Sequence, residues 1–207
     1  MNNIVNFYKN SDEESRLTTN NARKVEFAVT TTILNQHIKA HSTILELGAG
    51  TGVYSFYYAD RGNNVLATDI TQKHVDIINK KLSQRENSIN LSAEVADATI
   101  LSNYESESFD VVLNLGPMYH LTNENDREKC RTDNFFTTPI DIENFISRFG
   151  IEIIDHVGTD GISPMISDFV DSLNAEEYST WLNYCLASCR EKSILGMSNH
   201  GLIICKK

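Results

Sequence analysis

No run of about 18 apolar residues occurs in the 207-residue chain, so no segment reads as a membrane-spanning helix. Met1 to Glu14 is polar and acidic rather than charged and then apolar, so no secretory leader is expected, and a cytoplasmic protein is the expectation. Cysteine is scarce and unpatterned. The four present, Cys130, Cys185, Cys189 and Cys205, contain no Cys-x-x-Cys pair, and the one-turn spacing of Cys185 and Cys189 suits a shared buried helix face better than a metal site. Positive charge is short: 18 Lys and Arg against 28 Asp and Glu leave a net charge of -10, which argues against a nucleic-acid partner. With 41% hydrophobic residues, the length suits one domain with a sizeable core and is too short for two comfortable ones, so residues 1–207 are expected to form a single domain.

What is present centres on residues 44–69. Ile44-Leu45-Glu46-Leu47 is a short apolar run that stops at Gly48-Ala49-Gly50-Thr51-Gly52, after which Val53 to Ala59 reads as a helix and Val65 to Thr68 as a second strand ending on Asp69. A strand, glycine turn and helix of this kind let a ligand approach the backbone, and an acid about 20 residues on is placed to accept hydrogen bonds from a ribose. The spacing selects among nucleoside ligands. A dinucleotide fingerprint is Gly-x-Gly-x-x-Gly, whereas here the third glycine, Gly52, comes one residue early and the acidic Glu46 precedes the first, where it would repel a pyrophosphate.

The Glu-x-Gly-x-Gly-x-Gly pattern resembles motif I of the class I S-adenosylmethionine-dependent methyltransferases. The resemblance implies that Gly48, Ala49, Gly50 and Gly52 hold the methionine end of that cofactor, with Glu46 facing its cationic amino group. Asp69 would take the ribose hydroxyls and Ile70 one face of the adenine. Leu91 to Ala96 reads as the third strand and ends in Asp97-Ala98, which the resemblance places at the adenine edge; Asp97 could equally cap a turn. Phe109 to Leu115 is nearly continuous in apolar residues, so it reads as a fourth, central strand buried on both faces. It runs into Gly116-Pro117-Met118-Tyr119-His120-Leu121, which resembles the Gly-Pro-Leu-Tyr-His-Leu loop of a bacterial subgroup of these enzymes, departing at Met118 alone. By that resemblance Asn114 and Gly116 line the cofactor pocket and Tyr119 and His120 shape the acceptor site, His120 either as a base or as a loop hydrogen-bonding residue. Residues 1–23 form an N-terminal arm: a solvated leader, or a flap that brings Tyr8 or Arg16 to the cofactor.

The chain then departs from the family pattern. Residues 121–138 hold no apolar run longer than Phe135-Phe136 and no Lys-Pro-Gly-Gly turn, so the fifth strand of the fold is expected to be missing. Residues 139–149 read as a helix begun by Pro139, 151–157 as a strand, 162–173 and 175–190 as a helical excursion, and 201–205 as a final strand; near the other end, 22–38 reads as a helix packed on the sheet. The expected fold is therefore α/β, a Rossmann-like sandwich with a shortened sheet and helices on both faces. The lost strand must be replaced, by strand 151–157 moving in beside the fourth or by a second copy in a homodimer. The expected function is methyl transfer from S-adenosylmethionine to a small molecule by direct displacement, without metal. The alternative is a protein that holds the cofactor without turnover.

Overall fold

A computed structural model describes residues 17–115 and 138–207. These fall into two compact units, one built from residues 38–115 and the other from 17–37 with 138–207.

The first unit is a four-stranded parallel sheet with helices. Its strands are β1 (Thr43–Leu47), β2 (Asn64–Asp69), β3 (Leu91–Val95) and β4 (Val111–Asn114), in the spatial order β3-β2-β1-β4. The registers Leu47↔Thr68, Leu47↔Asn114 and Asp69↔Val95 bring the carboxyl ends of all four strands to one edge. Glu46, Ala67 and Ala93 are in register and so share one face of the sheet. Ala67 packs on Ile78 of α3 (Gln72–Ser83), together with Ala49 and, around them, Phe56, Leu82, Leu91 and Ala93. That face is the one that carries the site. The helix after the glycine turn, α2 (Val53–Ala59), has the bounds its sequence suggests.

One expectation is corrected here. Among the described residues β4 is an edge strand, paired with β1 alone, and its Val112 is 54% exposed. An apolar run marks a strand whose faces could both be buried, but it does not say whether a further strand pairs along its free edge or whether both faces are covered, and the exposed Val112 shows one face that is not.

The second unit contains α1 (Asn21–Leu34), α4 (Pro139–Ser147), β5 (Glu152–Gly158), a 3-10 turn (Ser163–Ile166), α5 (Ser167–Ser172), α6 (Ala175–Ser188), the short α7 (Lys192–Leu195) and β6 (Gly201–Lys206). Local chemistry fixes the helix starts. Asn20 accepts from the Arg23 amide, Thr138 from the Asp141 amide ahead of Pro139 in the first turn, and Asn174 with Glu177 makes a reciprocal capping box on α6. In α1, Val25, Val29 and Ile33 are buried at helical spacing, as the sequence suggests. It belongs to this unit, where it packs with α5 and α6. The Ala22 amide donates to Asp171 Oδ1 at 2.8 Å and Asn21 Nδ2 to the Leu173 carbonyl at 3.2 Å. Among the described residues strand β5 is paired antiparallel with β6, Glu152 opposite Lys206, in a two-stranded sheet. The first half of the helical excursion is shorter than read, a 3-10 turn and six residues of helix.

A charged cluster ties this unit together. Arg190 Nε donates to Asp155 Oδ1 at 2.9 Å and Nη2 to Oδ2 at 2.6 Å, while His37 Nε2 lies 3.3 Å from the same Oδ2. Burial of Asp155 works to raise its carboxyl, but the Arg190 and His37 hydrogen bonds overcome it and hold it below the ordinary value of 3.8. A lowered carboxyl contributes stability above its ordinary value, lost as pH falls through the folded one. Asp155→Asn is therefore expected to cost about 1–2 kcal/mol at pH 7, discounted for the half-exposed Arg190, with the deficit closing below pH ~4 in urea titrations at several pH values.

Candidate functional site

The site sits where β1 ends. Gly48, Gly50 and Gly52 have φ of 65°, 56° and 83°, a left-handed run that turns the chain from strand into α2. The turn is closed by the Ala49 amide on the Thr68 carbonyl (2.8 Å) and the Gly52 amide on the Ala49 carbonyl (2.9 Å). The glycines serve different ends. A β-carbon at Gly52 would meet Ile78 Cγ1 at 3.0 Å and Phe56 Cδ2 at 3.3 Å, so Gly52 permits the close packing of the turn on α3. A β-carbon at Gly50 would meet nothing within 4 Å, so the backbone there borders open space. Gly52→Ala is expected to cost about 2 kcal/mol through backbone strain and the Ile78 contact, read as a lowered urea midpoint, and Gly50→Ala about half that.

Asp69 is the keystone of this turn. It is buried, and its Oδ2 accepts the Gly50 amide at 2.9 Å while Oδ1 accepts the Thr71 amide at 2.8 Å and lies 3.1 Å from His74 Nδ1. A carboxylate has about four lone-pair positions, so three protein donors leave one, on Oδ2. Ile70, which follows, is half-buried. Lys81 of α3 reaches back to the Thr51 carbonyl at 3.2 Å, fastening the far side of the turn.

Glu46 lies on the same face as Ala67, beneath α2, and is 2% exposed. Ser55 of α2 donates to its Oε2. Burial pushes its carboxyl up to about 7; the Ser55 hydrogen bond opposes this and the negative charge of Asp69 adds to it. A buried acid poised near neutrality is the least comfortable group in this unit, and a cation beside it would relieve it.

Past the end of β3, Asp97 does two things. Its Oδ1 accepts from the Thr99 amide (2.9 Å) and the Thr99 hydroxyl (2.8 Å), the turn-capping role that the residue type allows. Its Oδ2 is buried and, among the described residues, has no hydrogen-bond partner, which is costly for a carboxylate oxygen. Asp97 also lines an open cavity of about 490 Å³ with Leu66, Val95, Ala96, Ile100, Asn103 and the Glu94–Tyr104 pair. Tyr104 donates to Glu94 Oε1 at 2.7 Å, and burial together with that bond pushes its hydroxyl up to about 12. Ala98 is half-buried beside Asp97, and Asn114 is half-buried at the end of β4, level with Leu47.

The structure thus brings Glu46, Gly48, Ala49, Gly50, Gly52 and Asp69 together at one turn and sets Ile70, Asp97, Ala98 and Asn114 along the same strand-end edge. Tyr8, Arg16, Gly116, Tyr119 and His120 lie outside the described residues, as does Met118. Two aromatics of α6 have structural partners: Trp181 Nε1 donates to the buried Ser163 hydroxyl at 3.1 Å and its ring sits 5.3 Å from that of Tyr184, whereas the buried Tyr178 hydroxyl has no hydrogen-bond partner among the described residues. Cys185 and Cys189 are buried, as their spacing suggests. Sequence reasoning missed Ser55, Thr71 and His74, polar residues at the starts of helices. Among the described residues, no group of His, Cys, Asp and Glu is arranged to hold a metal, and no helix is long and apolar enough to cross a membrane.

Residues 44–132, somewhat under half of the chain, match the family model described as a methyltransferase domain. No curated protein matches the chain. Among solved structures, a SAM-dependent methyltransferase from Aquifex aeolicus is similar at 15% identity and a TM-score of 0.55, covering 75% of this chain and 93% of its own. A complex of the Haloferax volcanii Trm112 methyltransferase activator with a methyltransferase matches at 13% identity, 65% and 72% coverage and a TM-score of 0.54. A TehB-like SAM-dependent methyltransferase from Corynebacterium glutamicum matches at 16% identity, 64% and 77% coverage and a TM-score of 0.50. The chain spans less than half the length of three further solved structures that it matches. Residues 44–132 are thus similar to a methyltransferase domain, and the α/β architecture of the described residues matches the Rossmann-like fold of S-adenosylmethionine-dependent methyltransferases.

Proposed function

We propose that this protein binds S-adenosylmethionine along the edge formed by the Gly48–Gly52 turn, Asp69 and Asp97, and transfers its methyl group to a small molecule. The observation that carries the reading is the pairing of an open glycine backbone at Gly50 with a buried, unpartnered acceptor at Asp97 Oδ2: one leaves room for a ligand and the other asks for a donor, such as an adenine amino group. Glu46 supports it from the methionine end. A carboxyl held near 7 by burial and by Asp69 favours a cationic neighbour, as an amino-acid ammonium would be, and disfavours a pyrophosphate.

When bound, the cofactor supplies an electrophilic methyl group, and a direct displacement needs alignment more than it needs a catalytic side chain. On this reading Gly48, Ala49, Gly50 and Gly52 hold the methionine end, Asp69 the ribose and Ile70 with Ala98 the adenine. Asn114 and Gly116 close the pocket, Tyr119 and His120 shape the acceptor site, and Tyr8 or Arg16 reaches the cofactor from the arm. The reading extends to one functional domain over residues 1–207, a cytoplasmic location and a homodimer that supplies the missing strand. The deciding experiment incubates the full chain with methyl-labelled S-adenosylmethionine and a panel of small nucleophiles, amines, phenols and thiols. Label appearing in an acceptor supports the reading. Saturable cofactor binding with label in none of them would make the protein a holder of the cofactor rather than a transferase.

A further inference from the structure

His74 is a poor choice for the place it occupies unless it does more than fill space. It is 2% exposed, in the first turn of α3, where burial makes an imidazole costlier than an aliphatic side chain of the same size. Asp69 does not need it for satisfaction, because the Gly50 and Thr71 amides already occupy both of its oxygens. The ring nonetheless places Nδ1 3.1 Å from Asp69 Oδ1. The two amides alone pin a carboxylate at one point on each oxygen and leave its plane free to rock. A third donor on Oδ1, arriving from the helix instead of the turn, fixes that plane.

We infer that His74 is a positioning residue of the cofactor site: by donating from Nδ1 to Asp69 Oδ1 it holds the carboxylate so that the remaining acceptor position, on Oδ2 beside the Gly50 amide, is presented to a ribose hydroxyl. The inference rests on the cofactor reading above. It requires the ring to carry its proton on Nδ1, and the acceptor at that distance is a carboxylate, which enforces this tautomer. The charged group that faces His74 across this contact is Asp69 at the end of β2, which also pushes the Glu46 carboxyl upward.

Two substitutions separate positioning from packing, because they fail in opposite ways. His74→Leu keeps the volume and removes the donor. His74→Asn keeps a donor, since its amide nitrogen stands where Nδ1 stands, and loses volume. Wild type and both variants are titrated calorimetrically with S-adenosylhomocysteine and unfolded in urea. Positioning predicts that His74→Leu binds about tenfold more weakly while folding nearly as well as wild type, and that His74→Asn binds within about threefold of wild type while being the less stable of the two. The reverse order of affinities, or wild-type affinity in His74→Leu, overturns the inference and leaves the cofactor reading standing. Failure of wild type itself to bind removes both.

Discussion

Replacing Asp69 by alanine is expected to be the most damaging single change in the first unit. The side chain is 7% exposed and serves three donors from two segments, the Gly50 amide in the turn and the Thr71 amide and His74 ring at the start of α3. Hydrogen bonds to a charged group contribute roughly 1.5–3 kcal/mol each, and the donors left behind are buried, so a loss of about 4 kcal/mol is expected even after the turn relaxes. For a chain of this length that corresponds to a fall of about 8–16 °C in Tm, measured by near-ultraviolet circular dichroism. Affinity for S-adenosylhomocysteine should fall by about a hundredfold or more, since the same change removes the ribose acceptor and the geometry of the glycine turn. Asp69→Asn keeps one acceptor oxygen and should lose less of both. A stability loss under about 1 kcal/mol in the alanine variant would mean that the turn is held by its own backbone bonds, and that Asp69 is not its keystone.

Glu46→Gln is expected to act in the opposite direction on stability. Burial, opposed by the Ser55 hydrogen bond and helped by Asp69, raises the Glu46 carboxyl from 4.5 to about 7. A raised acid is worth most to the folded state where both states are protonated, so its contribution is full below about 4.5 and is lost progressively as pH rises from there through about 7. Above that the folded protein carries a buried carboxylate, at a cost of about 3 kcal/mol relative to an unperturbed one. Glutamine keeps an acceptor for the Ser55 hydroxyl and cannot ionise. The variant is therefore expected to be more stable than wild type at pH 8, by about 2–3 kcal/mol in urea, with the advantage shrinking as pH falls from 7 to 4.5. Its affinity for S-adenosylhomocysteine should fall, because the carboxylate that burdens the empty fold is the counter-charge for the ligand's ammonium. A variant more stable at high pH and weaker in binding is the signature of a group kept for its ligand.

The legible parts of this structure were those in which residue type and position carry the whole signal. Strands β1 to β3 read correctly because short apolar runs bounded by glycine, asparagine or aspartate have few other uses, and the turn 48–52 because three alternate glycines at the end of a strand fit little else. Apolar periodicity was less informative about partners. Val25, Val29 and Ile33 showed that α1 buries a stripe, but the stripe is silent about what covers it, and the cover is α5 and α6. The run in β4 showed a strand and suggested a central one, whereas half-exposed Val112 marks an edge. Polar burial was the least legible of all. His74 and Ser55 look like solvated helix residues in a sequence, and only three dimensions bring them to Asp69 and Glu46. For the same reason Asp69 was read as an open acceptor, while three of its positions are already taken by the protein itself.

The central claim, that the edge running from the glycine turn to Asp97 takes a thioether nucleoside, is tested most directly by calorimetric titration of the full chain with S-adenosylhomocysteine, with NAD as the comparison ligand. Saturable binding of the nucleoside at one site per chain, and none of the dinucleotide, is the predicted result. Binding of the dinucleotide alone, or of neither, contradicts it.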